Sequence, residues 1–333
     1  MKNTVKKVLA LVIALALLAL AGCSQTVVVE PSTPAFYKIG VIQYATHPSL
    51  DNCYTGFIEG LAEYGLVDGE NVVIEFQNGN GDMSNTDLQA KNMVSSGCKL
   101  VVGIATPAAM SAYAACKDAD IPVIFNAVSD PVAAGIVASL ESPETNCTGS
   151  ADVLNFDAQL EMITAFLPDC DTIGVLYTTS EPNSISQLAA LEAAAAPLGI
   201  TIESLGVTNS SEVATAAAAI VAKGVDCVTN LTDNNVVDNL STLLHATDEA
   251  GIPVFGSEEE QVKNGCIGSM SIDYIEIGRA SGTRAAQILL GEKTANELPV
   301  STESSCSPVV NSAVAAKLSL GIPEAYADVT DVA

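Results

Sequence analysis

The sequence predicts an α/β protein made of two small, doubly wound parallel sheets with a cleft between them. Three observations carry this prediction. Short apolar runs alternate with longer segments of helical spacing from residue 38 onward, the pattern of a parallel sheet covered on both faces. The same pattern restarts after about residue 150. Of the 333 residues, 49% are hydrophobic, enough for a chain of this length to bury two sizeable cores.

The elements follow in order. Lys38-Ile39-Gly40-Val41-Ile42 reads as a strand. From Ser49 to Tyr64, Phe57, Ile58, Leu61 and Tyr64 recur at helical spacing. Val72 to Phe76 is the next strand, Asp87 to Val94 a helix, and Leu100 to Ile104 a third strand. Thr106-Pro107 opens the following helix, with Thr as cap and Pro in the first turn. Ile121 to Phe125 is a fourth strand. The second half repeats these signals in the same order at nearly one offset. Ile39-Gly40-Val41-Ile42 matches Ile173-Gly174-Val175-Leu176, Lys99-Leu100-Val101-Val102 matches Asp226-Cys227-Val228-Thr229, and Asp120-Ile121-Pro122-Val123 matches Gly251-Ile252-Pro253-Val254. Three ordered matches predict two lobes of one design.

In open α/β sheets, ligands sit beyond the carboxyl ends of the strands, where helix N-termini offer unpaired N–H groups and positive dipole ends. Polar residues directly after strands are therefore the candidates: Gln43 and Tyr44, Thr106, Ser129 and Asp130, Asn183 and Ser184, Asp233 and Asn234, and Glu258. Asp152 and Asp273 stand where the chain is expected to cross between lobes. The plainer reading is that such residues are helix caps. A zwitterionic amino acid would use the set well: Thr106, Ser129 and their helix ends for its carboxylate, and Asp233, Asp152 or Asp273 for its ammonium. Tyr44 and Tyr177 could stack on an aromatic side chain.

The N-terminus sets the expected location. Lys2, Lys6 and Lys7 precede an apolar run from Val8 to Leu20 that is too short for a comfortable membrane span and reads as an export signal. Leu20-Ala21-Gly22-Cys23 resembles the bacterial lipobox, which implies a signal peptide over 1–22, lipid on Cys23 and a tether over 23–36. The formal charge of −26 would repel nucleic acid and a bare anionic membrane surface. Eight cysteines besides Cys23, with no CxxC among them, read mostly as buried free thiols and suggest a reducing or anaerobic habitat. His47 and His245 are the only histidines and lack ligand-spaced partners, so no metal is expected, and no motif calls for another cofactor.

Several motifs in order give the sequence a family likeness. Ile42-Gln43-Tyr44, His47-Pro48-Ser49-Leu50-Asp51, Gly103 to Ala109, Asp130-Pro131-Val132, Asn183-Ser184, Thr232-Asp233-Asn234 and Ile272-Asp273-Tyr274 through Gly278-Arg279 resemble the tryptophan/tyrosine-type ABC transporter substrate-binding lipoproteins over about residues 37–300. The resemblance implies a type I periplasmic-binding-protein fold whose lobes close about a hinge, and an aromatic or related amino acid (Trp, Tyr or Phe) as ligand. It also implies a monomer anchored on the extracytoplasmic face of the cell membrane, with an ABC permease and its cytoplasmic ATPase as partners. Lobe one is expected over 37–149 and 275–298, and lobe two over 150–274 and 299–333.

Two other functions compete. An enzyme would need a nucleophile elbow, a metalloprotease helix or a phosphate-binding lysine loop, and the sequence carries none of these motifs. A sensory lipoprotein that presents its ligand to a receptor instead of a permease shares every feature described above.

Overall fold

The computed structural model describes residues 36–302 and 306–333. The expected signal peptide, the expected lipidation at Cys23 and the expected tether up to residue 35 lie outside the described residues.

The first half folds as β1 (Tyr37–Gln43), α1 (Pro48–Glu63), β2 (Val72–Asn78), α2 (Met83–Ser95), β3 (Leu100–Ile104), α3 (Thr106–Cys116), β4 (Val123–Asn126) and β5 (Cys147–Ser150). Its five strands are parallel in the order β2-β1-β3-β4-β5. The second half runs α4 (Phe156–Phe166), β6 (Thr172–Thr178), α5 (Pro182–Ala195), β7 (Thr201–Val207), α6 (Val213–Ala222), β8 (Cys227–Thr229), α7 (Asn234–Asp238), α8 (Leu240–Ala250) and β9 (Val254–Phe255). Its sheet has the order β7-β6-β8-β9, the same winding as the first.

The repeat read from the sequence holds in the register. Ile39 pairs with Leu100 and Val101 with Val123 in the first sheet. Their counterparts Ile173 with Cys227 and Val228 with Val254 pair in the second. These strands are buried along most of their length, as expected of a sheet with helices on both faces.

The parallel rule breaks at the end of the chain. After α9 (Glu259–Lys263) come β10 (Gly268–Ile272), α10 (Tyr274–Leu289), β11 (Cys306–Val310), α11 (Ser312–Lys317) and β12 (Thr330–Asp331). β10 and β11 pair antiparallel. Backbone bonds from Ile267 to Val254 and from Gly256 to Gly268 attach this small sheet beside β9.

Three segments pass between the sheets. The first follows β5, the second runs from β10 into α10, and the third returns near Ser301. Ser301 pairs with Ser150, and Val300 packs in the first core, so the chain stays with the first sheet beyond the boundary expected at 298. Ile277, Ala285 and Ala286 of α10 also belong to that core. The α1–α10 contact is unusually close. A methyl on Gly56 or Gly60 would strike the carbonyl of Ile275 or Arg279, and one on Gly278 or Gly282 would strike that of Cys53 or Phe57. Backbone lies on backbone here, which only glycine permits.

Seven of the eight described cysteines are buried, Cys306 is half-buried, and all stand as free thiols. Among the described residues no helix is long and apolar enough to cross a membrane. No group of three or more His, Cys, Asp or Glu among them is placed to hold a metal ion.

Candidate ligand-binding site

A cavity lies between the two sheets at the carboxyl ends of their strands, with walls drawn from α1, α3, α7 and α9 and from the crossing segments. Three of the longer helices around it begin without a side-chain cap: α1 behind His47, α3 behind Ala105 and α5 behind Glu181, each with Pro in its first two positions. Proline fixes the start of a helix without closing its end. His47 and Ala105 both line the cavity, so the positive ends of α1 and α3 face the same space. The cap of α3 is Ala105, one residue earlier than the threonine expected from the sequence. Ala105 sits at φ 75, ψ 155, a conformation normally left to glycine and strained by about 1–3 kcal/mol.

Two carboxylates supply the opposite charge. Asp152 accepts from Ser129 Oγ at 2.9 Å and from the Tyr274 hydroxyl at 3.0 Å. Burial pushes its pKa up to about 6, against the pull of those hydroxyls. Glu258 caps α9 by accepting from the backbone N–H of Glu260 and Gln261. Burial raises it to about 7.

The two lobes touch through polar groups at the cavity rim. Ser129 and Thr232 bring their hydroxyls to 3.2 Å, and Gln187 Nε2 donates to Ser129 Oγ at 2.8 Å. Gln187 also binds Thr232, through its amide oxygen to the Thr232 N–H.

The twelve candidates from the sequence therefore divide. Thr106, Ser129, Asp152, Asn183, Asn234 and Glu258 line the cavity. The other six do not, and each has other work. Asp233, an expected ammonium partner, has its carboxylate filled by Thr178 (N–H and Oγ1), Ser184 Oγ and the Val236 N–H. It is the buried cap of α7 and the tie to β6. Ser184 is accordingly a donor to Asp233. Asp273 caps α10 through Ile275 and Glu276 and lines a groove outside the cavity. Asp130 caps a turn at Ala133. Gln43 donates to the Ala45 carbonyl and to Asp51. Tyr44 packs in the first core, donates to the Gly81 carbonyl and is held near pKa 12 by burial, so its ring is not free to stack on a guest.

Sequence reasoning missed other wall residues: His47, Ser49, Gln261 and Tyr274 among them. His47 and Ser49 stand in the polar run that follows the first strand, so the strand-end rule reaches them although they were not among the candidates. Glu181, also missed, is buried behind the cavity and accepts from Asn183 Nδ2, Asn234 Nδ2 and the Asn234 N–H. Burial and the neighbouring Asp233 charge raise its pKa above the ordinary carboxylate range.

The pattern of the family described as "ABC transporter substrate binding protein" spans residues 38–331. The chain belongs to this family. A "Tyrosine-binding protein" of Clostridioides difficile (strain R20291) is 38% identical over 315 residues, covering 92% of this chain and 90% of that one. Among solved structures, the ABC domain from Streptococcus pneumonia in complex with L-Trp superposes with a TM-score of 0.85 at 36% identity, covering 89% of this chain and 99% of that one. The ligand-free, open structure of a Clostridium difficile substrate-binding protein with adhesive properties gives a TM-score of 0.67, at the same 36% identity and coverage of 89% and 99%. The likeness to the tryptophan/tyrosine-type members of the family, read from the sequence motifs, is thereby borne out, as is the two-lobed type I fold.

Proposed function

We propose that the chain is the extracytoplasmic, lipid-anchored binding component of an ABC importer. It holds an aromatic amino acid between its lobes and hands it to the permease. The observation that carries this reading is the composition of the interlobe cavity, where two uncapped helix N-termini face two buried carboxylates. That is the complement of a zwitterion: N–H donors for its carboxylate, and Asp152 with Glu258 for its ammonium. Thr106, Ser129, Asn183 and Asn234 complete the polar lining. Relatives described as binding tyrosine and L-Trp support the aromatic class.

The lobes, taken as 37–149 with 275–301 and 150–274 with the tail from β11 onward, are proposed to close about the three crossing segments. At equal identity the chain superposes better on the L-Trp complex than on the open, ligand-free relative, which supports a closed arrangement here. The Ser129–Thr232 and Gln187–Ser129 contacts are the bonds of that closed form. Ligand favours closure to the extent that it binds this form more tightly than the open one. The protein acts as a monomer without catalysis or cofactor, and lipid on Cys23 keeps it beside its permease. The adhesive relative supports a second reading, in which the anchored protein acts at the cell surface and presents its ligand to a receptor instead of a permease.

A thermal-shift screen of the twenty amino acids tests the ligand class. A ligand at a hundredfold excess over its dissociation constant adds about 2.7 kcal/mol of stability. The chain has no tryptophan, so indole emission from native purified material would report a bound tryptophan directly. Shifts from none of Trp, Tyr and Phe would reject the aromatic assignment. Loss of uptake on deleting the permease with the binding protein left intact separates import from presentation.

A further inference from the structure

His47 lines the cavity with two side-chain polar atoms, its ring nitrogens, and a hydrogen bond to neither. It is 8% exposed. The adjacent Ser49, 2% exposed, likewise leaves its hydroxyl without one. The Asn234 carboxamide faces the imidazole and the Glu258 carboxylate faces Ser49, yet neither meets its neighbour at hydrogen-bond distance and angle. Each buried polar atom left unpaired costs about 1–3 kcal/mol, and folded proteins keep few of them. Three such atoms within one turn of α1 point to a missing partner.

Their position says what kind. His47 and Ser49 line both the central cavity, where the free space is about 20 Å³, and a second pocket of about 260 Å³ beside it. They form the shared wall with Val237, Glu258 and Gln261. The central space is room for about a single water and carries the charged groups suited to an amino-acid head. The second pocket adds Pro48 and Leu240 as apolar surface, with Thr46, Ser241, Asn264 and the acidic side chains of Asp238 and Glu260 as polar rim. An aromatic side chain that leaves the head-group compartment through this wall passes His47.

We propose that His47, seconded by Ser49, binds a hydrogen-bonding group on the ligand's side chain and so selects a polar aromatic amino acid over phenylalanine. The proposal rests on the reading of the cavity as an aromatic amino-acid site. A neutral imidazole presents one donor and one acceptor. It can therefore serve a phenol hydroxyl in either sense, or accept from an indole N–H, whereas phenylalanine leaves it orphaned. Burial keeps the ring neutral by pushing its pKa down to about 4, although Asn234 and Asp51 pull the other way. Sites that hydrogen-bond a substrate hydroxyl reject the analogue lacking it far more strongly than apolar pockets discriminate a methylene.

Calorimetric titration of the purified protein with L-tyrosine, L-tryptophan and L-phenylalanine tests this, alongside His47→Leu, His47→Gln and Ser49→Ala. The wild type should bind tyrosine or tryptophan at least tenfold more tightly than phenylalanine. His47→Leu should erase that preference by weakening only the polar ligands, and His47→Gln, which keeps a donor and an acceptor, should retain part of it. Ser49→Ala should narrow it. Equal weakening of all three ligands would move His47 to the head group and overturn the proposal. An unchanged ratio in all variants would overturn it too. Wild-type protein that binds none of the three would sink the ligand class itself, and this proposal with it. Should His47→Leu fail to fold, the glutamine and alanine variants decide.

Discussion

Replacing Asp152 by asparagine separates binding from folding, because the two should respond with opposite sign. In the ligand-free protein the carboxylate is 2% exposed and is raised from an ordinary 3.8 to about 6 by burial. At neutral pH it is ionised in both the folded and unfolded chain. The raised pKa then corresponds to roughly 3 kcal/mol of stability lost to desolvation, at about 1.4 kcal/mol per tenfold change in acidity constant. Asparagine removes that cost. Its amide oxygen can still accept from one of the two hydroxyls, Ser129 or Tyr274, while its NH2 donates to the other. Asp152→Asn should therefore melt no lower than the wild type, and up to a few degrees higher. Binding should go the other way. Truncating one member of a buried, hydrogen-bonded charge pair costs about 2–5 kcal/mol, so the dissociation constant for the amino acid should rise between about thirtyfold and a few thousandfold. Differential scanning fluorimetry and calorimetric titration on the same preparation read both quantities. Unchanged affinity would remove Asp152 as the ammonium anchor. A melting point lowered by several degrees would show the carboxylate to be a structural group after all.

Three further outcomes follow from the geometry. Asp233→Ala should destabilise the protein by roughly 3–5 kcal/mol, since it orphans four buried donors from Thr178, Ser184 and Val236; a variant with wild-type melting and lost ligand binding would restore Asp233 to the site. Gly278→Ala places a methyl on the Cys53 carbonyl and should lower the urea midpoint by the equivalent of about 2–3 kcal/mol, whereas Gly321→Ala, with nothing near its added carbon, should not. The ligand-free protein should lose stability as pH rises from about 5 to 8, because Asp152, Glu258 and Glu181 have raised pKa values. Groups of that kind stabilise below their unfolded pKa and lose the contribution as pH passes the folded one. His47, lowered to about 4, opposes this only below about 6.5. An ammonium ligand holds the cavity carboxylates ionised, so ligand-induced melting shifts should grow between pH 5 and 8; shifts independent of pH would contradict the placement of the ammonium.

Much of the fold was legible because the strands are buried on both faces and write themselves as apolar runs. The repeat could be read to the residue: Leu100 and Cys227 occupy the same register in the two sheets. The antiparallel pair escaped because its strands, Gly268–Ile272 and Cys306–Val310, are small, polar or proline-bearing, and tertiary position made them strands. The site was half legible for a definable reason. Asp233, Glu258 and Asp273 each stand at N-cap spacing from a helix and donate their acceptor capacity to its first N–H groups. Only Glu258 also reaches the cavity. Asp152 gives no acceptor to a helix start, because Asn155 caps α4, and it lines the cavity. A carboxylate after a strand thus says little until the cap of the next helix is assigned. The uncapped starts were visible as His47-Pro48 and Glu181-Pro182, where proline takes the place of capping chemistry.

The glycine seam between α1 and α10 bears on how the cavity feels its surroundings. At Gly56, Gly60, Gly278 and Gly282 no side chain stands between the two backbones, so no rotamer change there can absorb a displacement. The two helices behave as one strut. At one end of it α10 begins with Asp273 and Tyr274, the latter bonded to Asp152. At the same end α1 begins behind His47, with Ser49 in its first turn. A shift in the crossing segment is therefore delivered undamped to two walls of the cavity at once, and a single methyl in the seam, far from any ligand atom, should detune both.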